Sequence, residues 1–252
     1  MSKKFLKELP VCGLRSVQAL AEYHPEKISR LFFSENTAKH FGTVCKYLAE
    51  NKRLYRIVSD AELEKLSESK HHQGVTAMIY VPVIPRLEIA LIDEWSKSAV
   101  SVLLLDEVGN ANNLGAVIRS AAFFGIEHIV ITEADKQAEC TTAAYRVAQG
   151  GMEFVNLYRV SSTDWFLRQC RGKLTSLGTD LQAHHTISEI KRFVEKEEPC
   201  VIVLGNEEHG ISREAKKLCT HLIKIAGCGN VESLNVAQAA AVFCNALYLV
   251  RS

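Results

Sequence analysis

The chain has 252 residues, 47% hydrophobic and 23% charged, with a formal net charge of +1. That composition argues against intrinsic disorder and provides for a substantial core, and the length leads to an expectation of two domains. The longest apolar run, Val236–Val250, is too short for a membrane span and carries Gln238 and Asn245.

In chain order, Leu14–Tyr23 has helical spacing, Ile28–Phe33 is a short β-prone run, and Thr37–Asn51 reads as an amphipathic helix. Tyr55–Val58 reads as extended, Ala61–Glu68 as helical, and Val75–Val83 as a strand. Pro82 and Pro85 break this pattern, and Leu87–Ser96 reads as a connecting helix. The expected division is therefore a first domain over 1–80, a linker over 81–98 and a second domain over 99–252. In the second domain the apolar runs Val102–Leu105, Ile129–Ile131, Val155–Val160, Leu174–Leu177, Val201–Leu204 and Leu222–Ile225 alternate with helical patterns. Continuous apolar runs suit strands buried on both faces, and strand–helix alternation implies a mostly parallel α/β sheet. Ligands of such sheets gather at the carboxyl ends of the strands.

Charge is unevenly divided. Residues 1–80 hold 13 Lys and Arg against 9 Asp and Glu, a balance of +4, while the remainder holds 17 against 20, a balance of −3. A basic front half, with His24, His40, His71 and His72 able to add to it, points to a polyanion. The eight cysteines form no C-x-x-C pair and sit mostly among apolar neighbours, which fits reduced, buried thiols in the cytoplasm. The lysines near Met1 precede no apolar stretch, so no signal peptide is expected. His71-His72 and His184-His185 lack metal-ligand spacing and read as surface histidines.

Three segments follow strand ends and carry unusual residues. The first, Asn112-Asn113-Leu114-Gly115-Ala116-Val117-Ile118-Arg119, offers Asn113 as a helix cap, Gly115 for close approach and Arg119 as a forked donor suited to phosphate. Taken alone it is also what a capped helix with an exposed arginine looks like. The second, Gly205-Asn206-Glu207-Glu208-His209-Gly210, is a polar loop between two glycines, after which Ser212 and Glu214 can start a helix. In the third, Gly227-Cys228-Gly229 leads into Ser233-Leu234-Asn235-Val236 at the mouth of a long apolar helix, where backbone N–H groups point outward. Glu232 stands where a dinucleotide fingerprint would need its third glycine, so a dehydrogenase is disfavoured.

Together the segments resemble the SpoU, or TrmH-like, family of RNA ribose methyltransferases, with its N-L-G-x-x-x-R, G-N-E-x-x-G and S-L-N-V motifs in order across residues 100–250. Cys12-Gly13-Leu14-Arg15-Ser16-Val17 and His72-Gln73-Gly74-Val75 resemble the opening and closing signatures of the family's small α/β RNA-binding domain. The resemblance implies a sheet whose C-terminal part is tied in a trefoil knot, with S-adenosylmethionine held there against Leu204, Gly205, Ile225 and Leu234. It implies catalytic and RNA-positioning roles for Asn113, Arg119, Glu207, Ser233 and Asn235, a tRNA or rRNA substrate, no metal, and pairing of catalytic domains through the last helix. The apolar helix over Val236–Val250 itself needs cover on both faces, which a homodimer with Ala241, Asn245 and Tyr248 at the interface provides; the alternative is the N-terminal domain folded back over it. Asn110-Ala111, Ala226 and Ala237 depart from the family pattern of Asp-Pro, Pro and Ser at those places. A non-catalytic RNA-binding factor with the same fold is the alternative, and retention of the five polar residues argues against it.

Overall fold

The computed structural model describes residues 7–134, 136–206 and 208–252. They divide into two compact units, one of residues up to Val83 together with Cys140–Phe154, the other of Ile84–Glu139 and Val155–Ser252. The strands are β1 (Glu8–Cys12), β2 (Ile28–Phe33), β3 (Leu54–Ile57), β4 (Val75–Tyr80), β5 (Ser101–Leu105), β6 (His128–Thr132), β7 (Asn156–Val160), β8 (Thr175–Thr179), β9 (His185–Thr186), β10 (Cys200–Leu204) and β11 (His221–Lys224). The α-helices are α1 (Leu14–Tyr23), α2 (Gly42–Glu50), α3 (Asp60–Ser67), α4 (Ile89–Trp95), α5 (Ala111–Phe123), α6 (Thr142–Ala148), α7 (Thr163–Cys170), α8 (Arg213–Leu218) and α9 (Val236–Arg251).

The first unit is built on a sheet of order β1-β4-β2-β3. Strand β1 has no counterpart in the sequence reading, because Pro10 interrupts its pattern; as an edge strand it tolerates a residue with no N–H to give. The helix expected over Thr37–Asn51 begins only at Gly42. A 3-10 turn over Ala38–His40 precedes it, and Phe41 leaves helical geometry to bury its ring against Phe33, centroids 5.6 Å apart. His72 is buried, contrary to its reading as a surface residue, and its Nδ1 accepts from the Gly74 N–H at 3.1 Å. Helix α6 lies inside the sequence range expected for the second domain but packs in this unit. It buries Ala144, Tyr145 and Ala148, and the Tyr145 carbonyl accepts from Ser16 Oγ at 2.8 Å.

The second unit holds a seven-stranded parallel sheet of order β7-β6-β5-β10-β8-β11-β9. Its central strands are the apolar runs SVLLL, HIVIT and CVIVL, and all five residues of β10 are buried. Val102, Leu104, Val130, Val201 and Val203 pack on Trp95 of α4, Phe166 and Leu167 of α7 and Ala215 of α8. Their alternate neighbours Leu103, Ile129 and Ile202 point to the other face; α9 packs on β10 and on α5. The Arg251 guanidinium pins the end of α9 by donating to the carbonyls of Glu198 at 2.7 Å and Val100 at 3.2 Å. Because every strand runs the same way, the loops after β5, β10 and β11 emerge at one edge.

Candidate functional site

Asn110, not Asn113, caps α5: its Oδ1 accepts from the Asn112 N–H at 2.8 Å, and its extended backbone starts the helix. Asn113 therefore sits inside the first turn rather than at the cap. Six residues of helix carry Arg119 about 9 Å further along and about 120° round from it. Arg119 is exposed and holds no hydrogen bond or ion pair among the described residues.

The loop after β10 is closed on itself. Asn206 Oδ1 accepts from the N–H groups of Glu208 at 2.8 Å and His209 at 3.3 Å, and the Gly210 N–H donates to the Asn206 carbonyl at 2.9 Å. Gly205 is dictated by that closure, since a Cβ there would fall 2.1 Å from the Gly210 carbonyl carbon. Asn206 Nδ2 fastens the loop to the β5 loop by donating to the Glu107 carbonyl at 3.0 Å. Leu204 is buried. Glu207 lies outside the described residues.

The loop after β11 is open. Ala226–Asn235 is exposed throughout, with Val231 72% and Leu234 43% accessible, and Ile225 is partly buried at its base. Asn235 caps α9, its Oδ1 accepting from the Ala237 N–H at 2.8 Å, which fixes the amide so that Nδ2 donates to Asn113 Oδ1 at 3.2 Å. The structure thus joins Asn113 to Asn235 and sets Ser233 beside them in the chain. Arg119 is not brought into contact with that pair.

Sequence reasoning passed over several residues at this edge. Asp106 carries a half-buried carboxylate whose Oδ1 accepts from Thr163 Oγ1 at 2.5 Å and whose Oδ2 accepts from the Ser212 N–H at 3.4 Å. Burial pushes its pKa above the usual aspartate range, against the pull of those two hydrogen bonds. Glu107 holds a left-handed backbone, φ 58°, that aims its carbonyl at Asn206. Strand β8 lies between β10 and β11, so Thr179 and Asp180 emerge between the two motif loops. Thr179 Oγ1 donates to the Val203 carbonyl at 2.9 Å, and the Asp180 N–H to the Ile223 carbonyl at 3.1 Å. A strand-end Asp or Thr has no local pattern to distinguish it from an ordinary turn residue.

Residues 101–245 match the SpoU rRNA Methylase family, over more than half of the chain. The chain belongs to the SpoU methylase family. Residues 10–80 match a second family description, RNA 2'-O ribose methyltransferase substrate binding. Among relatives, an uncharacterized tRNA/rRNA methyltransferase of Haemophilus influenzae is 33% identical over 171 residues, 68% of this chain and 48% of that protein. The chain thus spans about half the length of that relative. The 23S rRNA (guanosine-2'-O-)-methyltransferase RlmB of Escherichia coli K12 is 30% identical over 240 residues, 92% of this chain and 94% of RlmB. In structure, the SpoU methyltransferase AviRb of Streptomyces viridochromogenes in complex with AdoMet matches with a TM-score of 0.74 at 21% identity, covering 97% of this chain and 90% of AviRb. That likeness establishes the fold, a large parallel sheet of the SpoU type.

The open loop suits S-adenosylmethionine. Exposed Val231 and Leu234 offer apolar surface for an adenine ring, and the glycines at 227 and 229 leave backbone accessible, with no atom within 4 Å of where their Cβ atoms would stand.

Proposed function

We propose that this SpoU-family chain transfers a methyl group from S-adenosylmethionine to a ribose 2′-hydroxyl of RNA, with rRNA as the first candidate and tRNA as the second. The Asn113–Asn235 bridge carries this reading: it couples the helix bearing Arg119 to the helix mouth bearing Ser233, at the edge where the family motifs converge. The near full-length match to RlmB supports an rRNA ribose as target.

The cofactor supplies an electrophilic methyl group; the protein must orient a hydroxyl and ease the loss of its proton. Ser233 and Asn235 orient the ribose. Arg119, a permanently protonated guanidinium, clamps an RNA phosphate and stabilises developing alkoxide charge, while a phosphate or water takes the proton. Leu204, Gly205, Ile225 and Leu234 line the cofactor site, and Glu207 orients the polar groups. Residues 1–80 form the RNA-binding domain, 81–98 the linker and 99–252 the catalytic domain, apart from 140–154, which packs in the first unit. The same reading makes the C-terminal part of the sheet a trefoil knot; β10 inserts between the earlier strands β5 and β8, and β11 between β8 and β9, which supports it.

The reading extends to a cytoplasmic homodimer. Helix α9 leaves Val242, Asn245, Tyr248 and Leu249 exposed, and Phe123 at the end of α5 is 81% accessible. Such an apolar strip calls for cover, and an isologous pair supplies it. No helix among the described residues is long and apolar enough to cross a membrane, and the free thiols of Cys12, Cys45, Cys170, Cys200, Cys219, Cys228 and Cys244 fit a reducing compartment.

The test is methyl transfer from labelled S-adenosylmethionine to rRNA and tRNA transcripts, with ribose methylation mapped by nucleotide. Transfer to a base, or to neither RNA, would overturn the reading. Sedimentation equilibrium tests the dimer, and a monomer at micromolar concentration would sink it.

A further inference from the structure

The carboxylate of Asp106 stands where three elements meet: the end of β5, the first residue of α7 and the N-cap of α8. Each oxygen has its own donor, Thr163 Oγ1 on one side and the Ser212 N–H on the other. Its own N–H donates to the Leu204 carbonyl at 2.8 Å. Residue 106 therefore grips both ends of the 205–212 loop, through Leu204 just before it and Ser212 at its end, while the carbonyl of neighbouring Glu107 accepts from Asn206 near its start.

We propose that Asp106 is a positioning residue for the cofactor, setting the 205–212 loop in its binding geometry through the Ser212 N–H. This rests on the assignment of S-adenosylmethionine to that loop. A purely structural staple would be cheaper with a neutral side chain, because a half-buried carboxylate is penalised by desolvation and by the nearby Glu107 and Asp164. Only an ionised carboxylate, however, offers an acceptor to both donors without presenting a donor to either. Asp106→Asn removes the charge that strengthens both bonds, and its single oxygen can stay on the Ser212 N–H only if the amide N–H₂ donates to Thr163 Oγ1, reversing that bond. Thr163, itself buried, holds the carboxylate in its rotamer.

The test uses the full chain and three variants, Asp106→Asn, Thr163→Val and Thr163→Ser. Calorimetry with S-adenosylmethionine alone should show binding weakened about tenfold in Asp106→Asn and in Thr163→Val, with Thr163→Ser close to wild type. In turnover, the loss falls on KM for S-adenosylmethionine rather than on kcat. Hydrogen exchange without any ligand should quicken at the 208–212 amides in the two weakened variants and not in the strands. Wild-type affinity in Asp106→Asn, or a Thr163→Ser as impaired as Thr163→Val, overturns the proposal. A wild-type chain that does not bind S-adenosylmethionine overturns the cofactor assignment and this proposal with it. Should Asp106→Asn fail to fold, Thr163→Val and the exchange data still decide.

Discussion

Asn235 Nδ2 donates to Asn113 Oδ1 across 3.2 Å, joining two residues 122 positions apart in the chain. The direction of that bond is set locally, because Asn235 Oδ1 is already committed to the Ala237 N–H at the start of α9. One side chain thereby caps a helix and holds a partner, and the two jobs can be separated by substitution.

Asn235→Asp keeps the capping oxygen and removes the donor, so stability should change by less than about 0.5 kcal/mol while methyl transfer falls sharply. Asn235→Ala loses the cap as well and should cost about 1 kcal/mol in denaturant unfolding. Equal stability losses in the two variants would contradict this division.

Arg119→Ala should leave stability within about 0.5 kcal/mol of wild type, since the side chain is exposed and holds no partner among the described residues. Methyl transfer should be abolished with S-adenosylmethionine binding retained. Arg119→Lys should fail too, because a point charge does not reproduce the guanidinium fork; a lysine variant with most of its activity would reduce the role to simple charge.

Gly205→Ala places a methyl group against the Gly210–Ile211 backbone, with contacts of 2.1 and 2.2 Å that only a backbone shift can relieve. Destabilisation of about 3 kcal/mol is expected, with loss of cofactor binding. Gly227→Ala, in open space, should unfold at close to the wild-type denaturant concentration. The pair of chemical unfolding curves checks both.

Iodoacetamide at about pH 8 should modify Cys228 first, since it is the exposed cysteine, whereas burial pushes the thiols of Cys170, Cys219 and Cys244 up to about 12. Cys228 lies in the loop assigned to the cofactor, so S-adenosylmethionine should slow its alkylation. Peptide mass spectrometry reads the order, and an unprotected Cys228 would argue against that assignment.

A fragment beginning at residue 84 should expose the apolar face of α6, because Ala144, Tyr145 and Ala148 are buried within the first unit. Stronger dye binding and aggregation than in the same fragment with 140–154 replaced by a short Gly-Ser linker is the expected result. Identical behaviour of the two fragments would mean that α6 packs elsewhere.

Much of the second unit is legible locally. An apolar run such as Cys200–Leu204 suits a strand buried on both faces, and the alternation of such runs with helical patterns gives the parallel sheet; the three motifs mark the sheet edge where ligands gather. Capping is less legible: Asn110, Asn112 and Asn113 are chemically equal candidates, and only the backbone geometry at 110 selects one. Strand β1 is hidden by Pro10, which becomes acceptable once tertiary pairing makes that strand an edge. The placement of α6 in the first unit, the Asp106 grip on Leu204 and Ser212 and the Asn113–Asn235 bond all join residues far apart in sequence. A short-range pattern carries no information about such partners; they are chosen when strands take their order in the sheet, and that order is decided by the packing of the whole chain.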